Sequence, residues 1–178
     1  MTGFDARLER WVVHHRAEPF DSLFVWLSRA GSFGLVWLLL AAALALVWRR
    51  PGLIARVALA ALAGEGVSAL LKEWVGRERP PLRYTGPEPL VGSPGSPSFP
   101  SGHATVAFAC ATVLARAAPR LAVPLYALAA LIAWSRVYVG VHYPLDVAGG
   151  AVLGVLVATG LLMLAAGLRR SGRSPRRG

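Results

Sequence analysis

Long apolar runs broken by short polar or glycine- and proline-rich stretches divide almost the whole chain. Phe33–Trp48 is nearly pure Leu, Ala and Val, and Leu53–Leu71 follows after an arginine- and proline-containing turn. Ala104–Ala118, Leu121–Trp134 and Leu145–Leu168 complete a set of five. Each run is too continuous to be one face of a soluble helix, and each reads as a helix crossing a bilayer. Several fall short of the roughly 20 residues a span needs, so their polar flanks must help or the bilayer must thin locally. A sixth crossing is available if Phe20–Ala30 crosses separately. Phe4, Leu8, Trp11 and Val12 recur at helical spacing within a charged stretch, which suits a helix lying at the membrane interface.

The expected fold is therefore all-α: a polytopic membrane helix bundle of five, or six, transmembrane helices with an N-terminal interfacial helix. Residues 1–32 form the interfacial segment, 33–168 the membrane domain, and 169–178 a basic, unstructured tail. Composition agrees, since 55% of the 178 residues are apolar before glycine is counted. No basic start followed by an apolar core marks a cleaved signal peptide. The single Cys110 excludes an internal disulfide framework and a cysteine-based zinc cluster.

Net charge is +10, with 19 Lys+Arg against 9 Asp+Glu. In so apolar a chain this marks cytoplasmic loops rather than a nucleic-acid surface. Arg49, Arg50 and Arg56, then Arg116 and Arg120, then the arginines of the tail fall on one side under the five-span count. That side is cytoplasmic by the positive-inside rule. The C-terminus is then cytoplasmic, and the loops Lys72–His103 and Ser135–His142 share the extracytoplasmic face.

Those two loops hold three polar clusters that topology leaves unexplained. Lys72 is the sole lysine, and seven positions separate it from Arg79, close to two helical turns. If the helix runs on to Pro80, both cations share a face with Glu65 below them, a geometry suited to a phosphate. By itself the pair reads equally as a basic interfacial anchor. Pro100-Ser101-Gly102-His103 precedes a span, where Ser101 fits an N-cap and the free N–H groups form an anion site. A plain helix cap with an interfacial histidine explains this cluster as well. In Ser135-Arg136…His142…Asp146, Pro144 fits the first helical turn and places Asp146 one turn from His142. Such a carboxylate can hold Nδ1–H and leave Nε2 free to attack or take a proton, while Arg136 adds a fork donor. The alternative is a carboxylate that merely complements the helix dipole. Glu65, between two glycines within a span, must face the bundle interior, either paired with Arg136 or Lys72 or in a water-filled pocket. Gly150 and Gly154 suit close helix packing.

Together the clusters resemble the three signature motifs of the type 2 phosphatidic acid phosphatase family, which shares its core with the vanadium haloperoxidases. They read Lys72…Arg79-Pro80, Pro100-Ser101-Gly102-His103 and Ser135-Arg136…His142…Asp146, with no departure at a motif position. The resemblance covers residues 50–168 and does not inform the N-terminal fifth. It implies that His142 is a nucleophile forming a phosphohistidine, that Asp146 orients it, and that His103 protonates the leaving oxygen. Lys72, Arg79, Ser101, Gly102 and Arg136 would bind the phosphoryl group. The expected protein is a membrane lipid phosphatase with no cofactor and no metal site, acting on a lipid phosphate or diphosphate among membrane lipids. A polyprenyl diphosphate such as undecaprenyl diphosphate leads. A phosphatidylglycerophosphate or phosphatidate phosphatase, or a lipid phosphotransferase on the same scaffold, stands as the alternative.

Overall fold

The computed structural model describes residues 3–171, which are all-helical apart from their connections. The elements are α1 (Gly3–His14), α2 (Glu18–Ala30), α3 (Leu35–Trp48), α4 (Gly52–Val75), α5 (Pro80–Arg83), α6 (Gly102–Ala117), α7 (Ala122–Tyr138) and α8 (Pro144–Ser171). Five of them overlie the five apolar runs. α4, α7 and α8 are each long and apolar enough to cross a membrane, and α2 with α3 meets the same test as one pair bent by 68°. The remainder of the basic tail, residues 172–178, lies outside the described residues.

α6 is the hub. It has only 16 residues, and it is rich in Ala, with Val, Thr and Cys. Small side chains let α4, α7 and α8 approach it closely, so its buried residues lie on every face. Trp37, Val57, Leu125 and Ile132 fill the larger spaces around it, against Leu114 of α6 itself. Gly150 and Gly154 face α6, where Ser101, Thr105 and Ala109 leave no room for a Cβ, so the small-residue pair packs within the chain. Leu156, Met163, Leu164 and Leu168 of α8 point outward, as side chains facing lipid should.

Local chemistry sets the helix ends that matter for function. α4 stops at Gly76, whose φ of +61° is a left-handed cap, with Gly76 N–H donating to the Lys72 carbonyl at 2.9 Å. The helix therefore does not run on to Pro80 as the Lys72–Arg79 spacing suggested. Ser101 caps α6, its Oγ accepting from Ala104 N–H at 3.5 Å. After α7, Gly140 adopts a φ of +82°, and a Cβ there would meet an Arg16 nitrogen at 2.5 Å. This turn folds the chain back so that Val141 and His142 N–H both donate to the Arg136 carbonyl at 3.2 Å.

The N-terminal helix lies on the same end of the bundle as these loops. Asp5 Oδ1 accepts from Leu145 N–H at 2.9 Å at the start of α8. Arg16 donates to the carbonyls of Tyr138 and Glu88, both at 2.8 Å. Phe4 and Trp11 stay exposed, as aromatic side chains at a headgroup boundary would be. At the far end, Arg50, Arg56 and Arg116 line one shared cleft.

Candidate active site

Lys72, Arg79, Gly102, His103, Arg136 and His142 line a single cavity of about 410 Å³, together with Glu65 and Ser96. Its floor is apolar, made by Ala61, Leu62 and Val106. Six of the eight residues named from the motifs thus meet around one space. The other two stand behind it. Ser101 is fully buried with its hydroxyl turned to its own helix, and Asp146 is fully buried behind His142.

His142 sits between a carboxylate and a guanidinium. Its Nδ1 lies 3.3 Å from Asp146 Oδ2, and its Nε2 lies 3.1 Å from Arg79 Nη1. Only one tautomer satisfies both: Nδ1–H donates to Asp146, and Nε2 accepts from Arg79. The ring is almost wholly enclosed. Burial first, then the nearby cations Arg79, Arg136 and Lys72, hold its pKa well below the ordinary 6.5. His142 is consequently neutral near pH 7, with its basic lone pair on the cavity side. Asp146 is fixed in turn, because Oδ2 also accepts from Tyr143 N–H at 2.9 Å.

The three cations are held differently. Arg79 is saturated by protein acceptors: the Ser96 carbonyl at 2.8 Å, the Val141 carbonyl at 2.9 Å, and Ser96 Oγ and the Pro97 carbonyl at 3.3 Å. It enters from the loop after Gly76, not along the face of α4. Arg136 donates to Ser28 Oγ, and its Nε is buried with no protein partner. Lys72 has one long contact, to Ser96 Oγ at 3.5 Å. His103 Nε2 lies 3.3 Å from Ser32 Oγ, which also donates to the Ser28 carbonyl at 3.3 Å. The ion pair imagined for Glu65 does not form. Among the described residues no oxygen of Glu65 is within 4.0 Å of a cation, and the side chain faces the cavity instead.

Sequence reasoning missed four contributors. Ser28 and Ser32 come from the α2–α3 corner, and Ser96 from the proline-rich loop. Arg77, which bridges Asp146 to Asp5, hides among the unspecified positions between Lys72 and Arg79. Serines scattered through loops carry no periodic signal, and only Arg77's charge so near two other cations hinted at a buried role. Among the described residues no group of three His, Cys, Asp or Glu side chains is arranged as a metal site.

The family model described as "PAP2 superfamily" matches residues 53–170. The chain belongs to that superfamily. An undecaprenyl-diphosphatase of Sulfolobus acidocaldarius is 31% identical over 154 residues, covering 85% of this chain and 74% of that protein. A decaprenylphosphoryl-5-phosphoribose phosphatase of Mycobacterium tuberculosis is 36% identical over 138 residues, covering 74% and 72%. The crystal structure of a transmembrane PAP2-type phosphatidylglycerolphosphate phosphatase from Bacillus subtilis superposes with a TM-score of 0.72 at 27% identity, covering 97% of this chain and 87% of that one. This PAP2 protein is thus a membrane phosphatase of the lipid-phosphate class.

Proposed function

We propose that the protein hydrolyses a polyprenyl diphosphate at the extracytoplasmic face through a phosphohistidine on His142. The observation that carries the chemistry is the sharing of one cavity by His142 Nε2, three cations and the amino end of α6. Phosphoryl transfer needs positioned positive charge around the equatorial oxygens and an in-line nucleophile. Lys72, Arg79, Arg136 and the Gly102 N–H supply the first, and His142 the second. Nε2 attacks phosphorus as the bond to the leaving oxygen breaks, and His103 gives that oxygen a proton. Asp146 balances the cationic imidazole so formed. Water then attacks phosphorus, the N–P bond breaks, inorganic phosphate leaves, and His103 takes the water's proton.

The polyprenyl assignment is supported by the two relatives described above, whose names both give a substrate with a polyprenyl chain, and by the apolar floor of the cavity. Sidedness is supported by the clustering of Arg50, Arg56 and Arg116 at the end opposite the site. α1 docks at the site's own end, and α3 runs into the arginine end. The bent α2–α3 pair thus counts as one crossing, which makes five with α4, α6, α7 and α8.

Purified protein in detergent should release phosphate from undecaprenyl diphosphate faster than from phosphatidylglycerophosphate or phosphatidate, and do so in excess EDTA. Faster turnover of a glycerolipid would replace the polyprenyl reading. Phosphoryl transfer to an added alcohol in preference to water would replace hydrolysis. Labelling of Ser93→Cys by an impermeant thiol reagent only after the membrane is permeabilised would overturn the sidedness.

A further inference from the structure

Arg77 makes a fork between two carboxylates on different elements. Nη1 donates to Asp146 Oδ1, and Nη2 to Asp5 Oδ2 at 2.5 Å. All three side chains are buried, with 7%, 0% and 1% of their surfaces exposed. The guanidinium also lies 3.9 Å above the ring of Tyr143, the residue between His142 and Pro144. Asp5 ties the other end, because its Oδ1 accepts from Leu145 N–H at 2.9 Å. The outcome is a continuous chain: Asp5, Arg77, Asp146, His142.

We infer that Asp5 and Arg77 are positioning residues for the nucleophilic histidine, and that the N-terminal helix is thereby part of the catalytic apparatus. This inference rests on the phosphohistidine reading above. A carboxylate has two oxygens, and Asp146 must present one of them to His142 Nδ1–H. Oδ2 does so while also accepting from Tyr143 N–H. Without a partner for Oδ1, the carboxylate could rotate about its Cβ–Cγ bond and lose that register. Arg77 occupies Oδ1 and fixes the plane. It also supplies the positive charge that a fully buried carboxylate requires, since an unpaired buried ion is strongly unfavourable. Lys72 and Arg79 act on Asp146 only at longer range, and His142 is its other titratable neighbour. Asp5 in turn holds Arg77 from the opposite side, so Arg77 cannot swing toward the cavity and compete for phosphate. Two carboxylates and one guanidinium leave one net negative charge, which a cationic His142 neutralises during transfer.

Asp5 lies outside the region matched by the family model. Its helix carries exposed Phe4 and Trp11 on the side away from this chain of carboxylates and guanidinium.

The test uses the full-length protein in detergent, with undecaprenyl diphosphate as substrate. A misplaced reacting group costs up to about 10²-fold, so Arg77→Met should lower kcat by about 10- to 100-fold while KM stays unchanged. Arg77→Lys should recover part of the loss. Asp5→Asn, a change of one atom, should lower kcat less. Because Asp5 acts through Arg77, the double variant Arg77→Met/Asp5→Asn should be no slower than Arg77→Met alone. A separate readout does not need turnover: ¹⁵N NMR of His142 should show the Nδ1–H tautomer in the wild type and a mixture in Arg77→Met. Wild-type kcat in Arg77→Met, losses that multiply in the double variant, a defect confined to KM, or an unchanged tautomer each overturns the inference. A wild type inactive on undecaprenyl diphosphate that still shows the predicted tautomer change would instead defeat the polyprenyl reading and support the positioning role.

Discussion

Replacing Gly150 by alanine would drive a methyl group into the backbone of α6. A Cβ at that position meets the Ser101 carbonyl oxygen at 2.5 Å, Ala104 Cβ at 3.0 Å and Thr105 Oγ1 at 3.2 Å. The first of these is backbone and has no rotamer by which to move aside. Restoring ordinary contact near 3.4 Å requires the two helices to part by about 1 Å. Overpacking of this kind costs about 1–3 kcal/mol of stability. The catalytic consequence should be larger, because the collision lies beneath the site. Ser101 caps α6, His103 is two residues on, and Ser101 N–H donates to the Asp146 carbonyl at 2.9 Å. Separating α6 from α8 moves His103 away from His142, and a displacement near 1 Å is worth about 10²-fold in rate. Gly160→Ala on the same helix is the control, since a Cβ there meets nothing within 4 Å. It should gain about 0.5–1 kcal/mol from helix propensity and keep full activity. Phosphate release and thermal unfolding, measured on both variants in the same detergent, decide the matter. Wild-type turnover and melting in Gly150→Ala would refute the claim that this contact sets the distance between the two histidines.

Two further outcomes follow from single groups. Glu9 of α1 is buried, and burial raises its pKa from 4.5 to about 7, so the docked helix favours the protonated acid. The raised value means that this contribution to docking is complete below pH 4.5 and lost as pH rises through about 7. Amide protection factors in residues 3–14, the exchange rates corrected for the intrinsic rise with pH, should therefore fall across that window and stay level in Glu9→Gln, and wild-type protection that does not change with pH would contradict it. Ser28→Ala removes the hydroxyl that accepts from Arg136, a bond to a charged group worth about 1.5–3 kcal/mol. KM for the phosphorylated substrate should rise about tenfold or more; an unchanged KM would mean that Arg136 needs no such support.

Much of this arrangement was legible because membrane spans write themselves as apolar runs. The five runs became five helices, and the residue types at one end of them announced a phosphoryl site. Legibility failed where the chain leaves regular structure. The spacing of Lys72 and Arg79 is close to two helical turns, and a helix through both was the natural expectation. Gly76 ends that helix, and no periodicity signals that Arg79 then returns from the side. For Glu65 the sequence left two readings open, a pairing with Arg136 or Lys72 or a water-filled pocket, and no pattern in the chain could choose between them. The fold takes the second, with the carboxylate facing the polar space of the cavity. Asp5 was illegible for a third reason. Its partner Arg77 is 72 residues away, and only the folded chain brings α1 against the loop after α4.

The departure of Arg79 from the helix face changes what the two motif cations can do. Had both projected from α4, they would have been two long side chains with similar freedom, interchangeable as charges. Instead Arg79 is clamped by the Ser96, Pro97 and Val141 carbonyls and spends one donor on His142 Nε2. An arginine so fully bonded contributes a fixed positive field, and under the proposed mechanism its contact with His142 Nε2 orients the ring and gives way when the phosphoryl group arrives. Lys72 has a single contact at 3.5 Å, so under the proposed mechanism its ammonium can follow the phosphoryl oxygens as the geometry at phosphorus changes. The one lysine in a chain with 18 arginines therefore occupies the position where a compact, rotatable charge is useful.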